Sequence, residues 1–440
     1  MNILDLPPEL LHLILVRAVL ARGVTRGLRL KLVCKRFSAA LQPALFESRL
    51  LDTFYPGDLL ENWYIRNQHG AEKFWHSYLH YRVRNETDPS VGRLMELGQL
   101  ARSFCARTSG ADYDATLSAL CWMALERGAS LKGYRWCWIL QDDREVRLGI
   151  PNPGLNLLCA AAYLNNMHLA KELLDEGHCA TADDELLPSP MQSAAWAGNT
   201  DMLVLLQQSL PEFEDSGPRH IYHNTWYGKI GPGSLTGAAY RGDMDMIRLA
   251  AYPPSRRMNQ SSDFVDQPFG RVDPYSKPGM YINKARWETK NWDVFRYLSS
   301  FFRDPWYDAT PIMARHAFYG NIDMVVHFLD AGLDVNGRDV SNGCPLINAA
   351  RGCHKDIVDL LLERGADPNH TVVGYPGSAL SGAVRGGSMV ILRKLLEYGA
   401  RPDREGRILL NYAVQLEHVE MVELLLEKCF GSPDGGFTGG

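Results

Sequence analysis

The sequence predicts an all-α chain: a short three-helix module at the N-terminus, then a solenoid of stacked helix pairs joined by turn-rich loops. Two patterns carry this. Apolar residues between Leu10 and Phe46 recur at helical spacing, and pairs of apolar residues recur with a period near 33 from about residue 150 onward. Length and composition agree. The 440 residues hold a short domain plus a repeat array, and 46% hydrophobic with 22% charged residues is ordinary for a globular chain.

In the first element, Pro7 and Pro8 sit just ahead of Leu10, where proline suits the first turn of a helix. Leu10, Leu11, Ile14 and Leu15 form one apolar stripe. Leu28, Leu32, Val33 and Phe37 form a second, and Pro43 opens a third short element. Three such helices bury little surface alone, so part of the apolar face is left for a partner. Between residues 10 and 46 stand Arg17, Arg22, Arg26, Arg29, Lys31, Lys35 and Arg36 and no acid: singly each reads as part of a solvated helix face, and together they would complement an acidic partner.

Leu6-Pro7-Pro8-Glu9-Leu10-Leu11, Ile14-Leu15, Leu32-Val33-Cys34-Lys35-Arg36-Phe37 and Pro43-Ala44-Leu45-Phe46 together resemble an F-box. The resemblance implies docking to the Skp-type linker subunit and, through it, to a cullin-RING ubiquitin ligase. The residues it assigns to linker binding are Leu6, Pro7, Pro8, Leu10, Leu11, Ile14, Leu15, Leu32, Val33, Cys34, Phe37, Leu45 and Phe46. Between Arg22 and Lys31 the sequence departs from the family pattern, with Gly23, Gly27 and arginines where an acidic-Leu pair is usual, so a helix boundary is in question there.

Residues 51–150 read as a helical bridge rich in rings, among them Phe74, Trp75, Tyr78, Tyr81 and Trp122. Core packing against the first repeat is the expected use of these rings, rather than base stacking. Glu126-Arg127-Gly128-Ala129-Ser130 looks like the ending of a degenerate repeat.

In the array (151–430, about eight repeats) the paired apolar residues begin at Leu169, Met202, Met246, Val294, Met324, Ile357, Ile391 and Met421. Eight residues before each stand Ala161, Ala194, Ala238, Arg286, His316, Ala349, Ala383 and Ala413; eight after stand Gly177, Gly332, Gly365 and Gly399. The period, the small residues and the glycines resemble the ankyrin repeat. The sixth repeat is clearest. There Pro345 suits a helix start, Ala349-Ala350 lets helices approach, and Ile357, Val358, Leu361 and Leu362 form a buried stripe. Gly365 suits a left-handed cap, with Asp367 and Asn369 in the turn beyond. Departures are Arg286-Trp287 and Lys290 in the fourth repeat, His316 and one extra residue in the fifth, and Glu417 in the eighth. The Gly-rich stretch 431–440 reads as a disordered tail.

Two spacings exceed the period and place insertions near 211–233 and 252–283. Insertions in an array go to loops, often on the binding side, and Tyr, Trp and Arg are common binding anchors. Candidate target-binding residues are therefore Tyr222, Trp226, Tyr227, Arg256, Arg257, Arg271 and Tyr275, together with Arg338 and Tyr375 in shorter loops.

Other functions find little support. A net charge of −5 is too weak to predict a nucleic-acid or membrane partner. The apolar run Leu10–Ala21, interrupted by His12 and Arg17, is too short to span a bilayer, and Asp5 and Glu9 stand where a signal peptide is basic. Nine dispersed cysteines without a CxxC read as reduced thiols of a cytoplasmic or nuclear protein. His220 with His223, and His76 with His80, lack further ligands at metal-site spacing, and Gly231-Pro232-Gly233-Ser234 lacks the lysine of a phosphate loop. The expectation is a non-catalytic substrate receptor, without cofactor or metal, that holds the linker at one end and an unidentified target protein at the other. The alternative is an ankyrin scaffold unconnected with a ligase.

Overall fold

The computed structural model describes residues 6–52, 71–87, 92–132, 152–182, 184, 186–210, 232–251, 272–337, 343–371, 377–402 and 405–430. The described residues up to Leu210 form one compact unit and those from Pro232 onward a second. Both are helical, with an isolated β-bridge between Val272 and Phe302.

The first unit opens with α1 (Pro8–Leu28), which has Pro7 at its N-cap and Pro8 in its first turn, where the missing amide costs nothing. Gly23, at φ 75°, interrupts it with a kink, inside the stretch where the sequence departs from the F-box pattern. A 3₁₀ turn (Arg29–Leu32) leads to α2 (Lys35–Glu47), capped by the Cys34 sulfur, which accepts from the Phe37 amide at 3.4 Å. Two expectations are corrected here. Pro43 lies inside α2 rather than opening an element, on an exposed face where water can take the carbonyl its ring leaves unpaired. Leu32 and Val33 do not continue a stripe with Phe37: the 3₁₀ turn breaks the helical phase and leaves them exposed while Phe37 is buried.

Leu11, Leu15, Val19, Leu41 and Leu45 fill the seam between α1 and α2. Phe46 meets Phe74, Tyr78 and Tyr81 of α3 (Ala71–Asn85) at ring distances of 5.1–5.6 Å. Beside it, Asp52 accepts from the Tyr78 hydroxyl and from Arg82, whose other nitrogen meets Glu86 at 2.6 Å. Next come α4 (Gly92–Arg107) and α5 (Tyr113–Lys132). α5 stays helical through Gly128-Ala129, so the expected repeat ending at 126–130 is instead helix. His76 is a packing residue: its ring stacks on Trp122 at 4.2 Å and its Nε2 bonds the Ser118 carbonyl oxygen. The unit closes with two helix pairs, α6 (Pro153–Tyr163) with α7 (Met167–Asp175) and α8 (Pro190–Ala197) with α9 (Thr200–Gln208). Arg107, the last residue of α4, meets Glu172 of α7 and Glu176 just after it.

The second unit holds six further pairs. These are α10 (Pro232–Arg241) with α11 (Met244–Ala251), α12 (Lys277–Glu288) with α13 (Trp292–Ser299), and α14 (Ala309–Tyr319) with α15 (Ile322–Asp330). After them come α16 (Pro345–Arg351) with α17 (Lys355–Glu363), α18 (Ala379–Arg385) with α19 (Met389–Glu397), and α20 (Gly406–Gln415) with α21 (Val419–Phe430).

In both units the periodic positions have one use. All eight apolar marks and all eight residues that precede them by eight are at most 2% exposed. Gly177, Gly332, Gly365 and Gly399 take φ near 90°, and a Cβ there would touch nothing. Conformation rather than crowding therefore selects glycine. Asn336 and Asn369, 33 residues apart, each clip one repeat to the next. Asn336 donates to the Gly365 carbonyl and accepts from the Asp367 amide, and Asn369 does the same with Gly399 and Arg401.

Candidate functional site

The N-terminal module presents an apolar face. Pro7, Pro8, Leu10, Leu13, Ile14, Leu32 and Val33 are exposed, Leu32 at 85% and Val33 at 61%. Leu10, Leu13 and Ile14 share one side of α1 at helical spacing, and Leu32 and Val33 are exposed at the end of the 3₁₀ turn. A shallow cleft of about 610 Å³ lies on the same module, lined by Pro8, Glu9, His12, Leu13, Ala40 and Pro43. His12 closes one end through a 2.6 Å contact with Glu47, and Arg36 reaches back to the Leu6 carbonyl oxygen at 2.9 Å. Arg17, Arg22, Arg26, Arg29, Lys35 and Arg36 are exposed around this module and Lys31 is partly so.

The thirteen residues assigned to linker binding divide by burial. Pro7, Pro8, Leu10, Ile14, Leu32 and Val33 form the face, and Leu6 and Cys34 are half-buried. Leu11, Leu15, Phe37, Leu45 and Phe46 are at most 7% exposed. These five are buried in the module's core. The helical period alone could not separate the two sets, because one stripe of α1 packs on α2 while the neighbouring stripe faces outward.

Of the residues expected to bind a target, Tyr222, Trp226, Tyr227, Arg256, Arg257, Arg271, Arg338 and Tyr375 lie outside the described residues, as do His220 and His223. Tyr275 is described: it is 80% exposed and meets Tyr307 edge-on at 5.8 Å.

One concave feature went unread in the sequence. A cleft of about 620 Å³ lies on the second-helix side of the array, between α13, the segment 300–308 and α15. Trp292 stacks on His327 at 5.1 Å and on Phe295 at 5.3 Å, with Trp306 on the far wall. Trp292 and Phe295 share α13, but Trp306 comes from the loop and His327 from the next repeat, so no single local motif announces the cleft. Among the described residues no group of three His, Cys, Asp or Glu side chains gathers as a metal site, and no helix is long and apolar enough to cross a membrane.

No curated protein matches the chain. The family model for ankyrin repeats (3 copies) matches residues 288–372, starting where α12, the helix with Arg286-Trp287, ends. Residues 288–372 thus carry ankyrin repeats, and the repeat region is a protein-interaction module.

Proposed function

We propose that the chain is the substrate-receptor subunit of a cullin-RING ubiquitin ligase of the SCF type. The N-terminal module docks on the Skp-type linker, and the repeats hold a target protein. The chain breaks no bond itself; it contributes proximity, raising the effective concentration of the target at a ubiquitin-loaded enzyme. It works in the cytoplasm, the nucleus or both. The observation that carries this reading is the exposed apolar face of Pro7, Pro8, Leu10, Ile14, Leu32 and Val33. A segment that only capped an array would present a polar outer face.

The second reading, an ankyrin scaffold without a ligase, has its own support. Phe46 packs on α3 and Asp52 pairs with Arg82, so the module is also built into the first unit.

Capture of the linker subunit by the intact chain, compared with Leu32→Glu and Leu10→Ser plus Ile14→Ser, separates the two. These side chains are exposed, so the variants keep their fold, as circular dichroism will show. Capture by the intact chain and its loss in the variants supports the receptor. A folded intact chain that fails to capture the linker leaves the scaffold.

A further inference from the structure

The fourth and fifth repeats depart from the repeat pattern at Arg286, Trp287, Lys290 and His316. Two of the four, Arg286 and Trp287, bond the segment 300–308. Arg286 is fully buried and donates to the Pro305 carbonyl oxygen at 3.1 Å, the Ser299 hydroxyl at 2.9 Å and Asn283 at 3.0 Å. Its guanidinium lies 4.8 Å from the Phe295 ring centre and 5.1 Å from that of Phe302. Trp287 Nε1 and Asn283 both donate to Asp308, which holds φ 60° at the start of α14. His316, on α14, lies 6.0 Å from the Phe328 ring, which in turn meets Trp292 edge-on. Arg286 and Trp287 therefore hold a loop fixed at Pro305 and Asp308. Between these anchors stands Trp306, 42% exposed, on the wall of the cleft with Trp292, Phe295, Arg296, His327 and Asp330.

The charges of the cleft are unequal. Asp330 is paired with Arg364 at 2.9 Å. Asp304 accepts from the Trp306 amide and faces the buried Arg286. Arg296 lines the cleft with no side-chain hydrogen bond or ion pair among the described residues, and Arg303 is exposed in the same loop. The unmatched charge is positive and the walls are aromatic.

We propose that this cleft is a docking site for a segment of a partner protein that presents an aromatic or large apolar side chain beside a carboxylate. The ring or apolar group packs against the Trp306 and Trp292 rings, which lie 6.4 Å apart on the cleft wall, and the carboxylate meets Arg296 as a charge-assisted pair. The volume suits one or two side chains. The inference rests on the protein-binding half of the proposed function and is independent of linker docking.

The test is selection of a random peptide library displayed on phage against the full chain, with Trp306→Ala and Arg296→Glu in parallel. Selected peptides are expected to place Asp or Glu next to Trp, Tyr, Phe or Leu. Resynthesised, they should lose about tenfold or more in affinity with either substitution, the scale of a single anchor residue. Trp306→Phe, which keeps a ring on the wall, should restore most of the affinity. Both residues are exposed, and an unchanged thermal midpoint excludes unfolding as the cause. Absence of enrichment, peptides indifferent to both substitutions, or a basic rather than acidic consensus overturns the proposal. Linker capture by the same preparations is read separately, so a failure here is distinct from a failure of the receptor reading.

Discussion

Arg286 sits where seven other repeats carry alanine or, in one case, histidine, and it is as buried as any of them. A buried cation is costly unless its charge is answered. Here three hydrogen bonds, two aromatic faces and the charges of Asp308 and Asp304 answer it, yet burial still pushes its pKa down to about 10. Replacing it by the small residue the pattern favours removes all of these and leaves a void. Arg286→Ala is therefore expected to destabilise the second unit by about 3 kcal/mol, read from urea unfolding followed by circular dichroism. A variant as stable as the parent contradicts this account. His316 is the other substitution at this position. Burial, with Arg315 and Lys290 adding repulsion, lowers its pKa to about 3. The folded state thus resists a proton that the unfolded chain accepts near the ordinary histidine value. Above that value the residue is neutral in both states. As pH falls below it, stability is lost at about 1.4 kcal/mol per pH unit until the folded pKa is reached. Between about pH 7 and about pH 5 the parent should lose about 2 kcal/mol more than His316→Ala, and equal pH slopes for the two proteins would remove His316 as the cause.

At the scale of elements, the period of 33 was readable because each mark serves one purpose in every repeat. Leu169 through Met421 are buried in all eight pairs, including the fourth, whose sequence departs most. The turn between paired helices shows how far such reading extends. Gly198, Gly242, Gly320 and Gly387 take positive φ there, and so do Asn165, Cys353 and Glu417, which lack glycine's freedom. Glu417 therefore marks strain at 52°, not a lost repeat. In the fourth repeat the chain leaves α12 extended at Thr289, so Lys290 needs no left-handed backbone. What stayed hidden has a common physical reason. The burial of Phe37 but not Leu32 and the aromatic cleft both depend on contacts between residues distant in sequence. Helical spacing reports which residues share a face and is silent on which face finds a neighbour. The cleft is the sharpest case. Its loop is held by Arg286 and Trp287, which in the sequence are only exceptions to a pattern.

For the whole molecule, the division into two compact units has an energetic counterpart. Each has its own buried set: Leu11, Leu41, Leu97, Leu158 and Met202 in the first, Ile312, Ile347, Val358 and Leu409 in the second. In a repeat protein, stability is passed between neighbours and fades with distance along the chain. Arg82 of the first unit is held by Asp52 on one side and Glu86 on the other, with its side chain only 4% exposed. Removing it leaves the Glu86 carboxylate buried without its closest partner, a change that costs about 3 kcal/mol or more. Arg82→Met should therefore raise amide exchange in α1, α2 and α3, where Phe46 and Asp52 meet α3, and leave exchange in α16 through α19 as it was. If the module docks on the linker as proposed, the same variant should also weaken that capture without altering any exposed residue, because Leu45 and Phe46 are buried residues of α2 and Phe46 packs on α3. Exchange rising equally in both sets of helices would mean that the two units unfold as one, and the cores described here would then not be separate sources of stability.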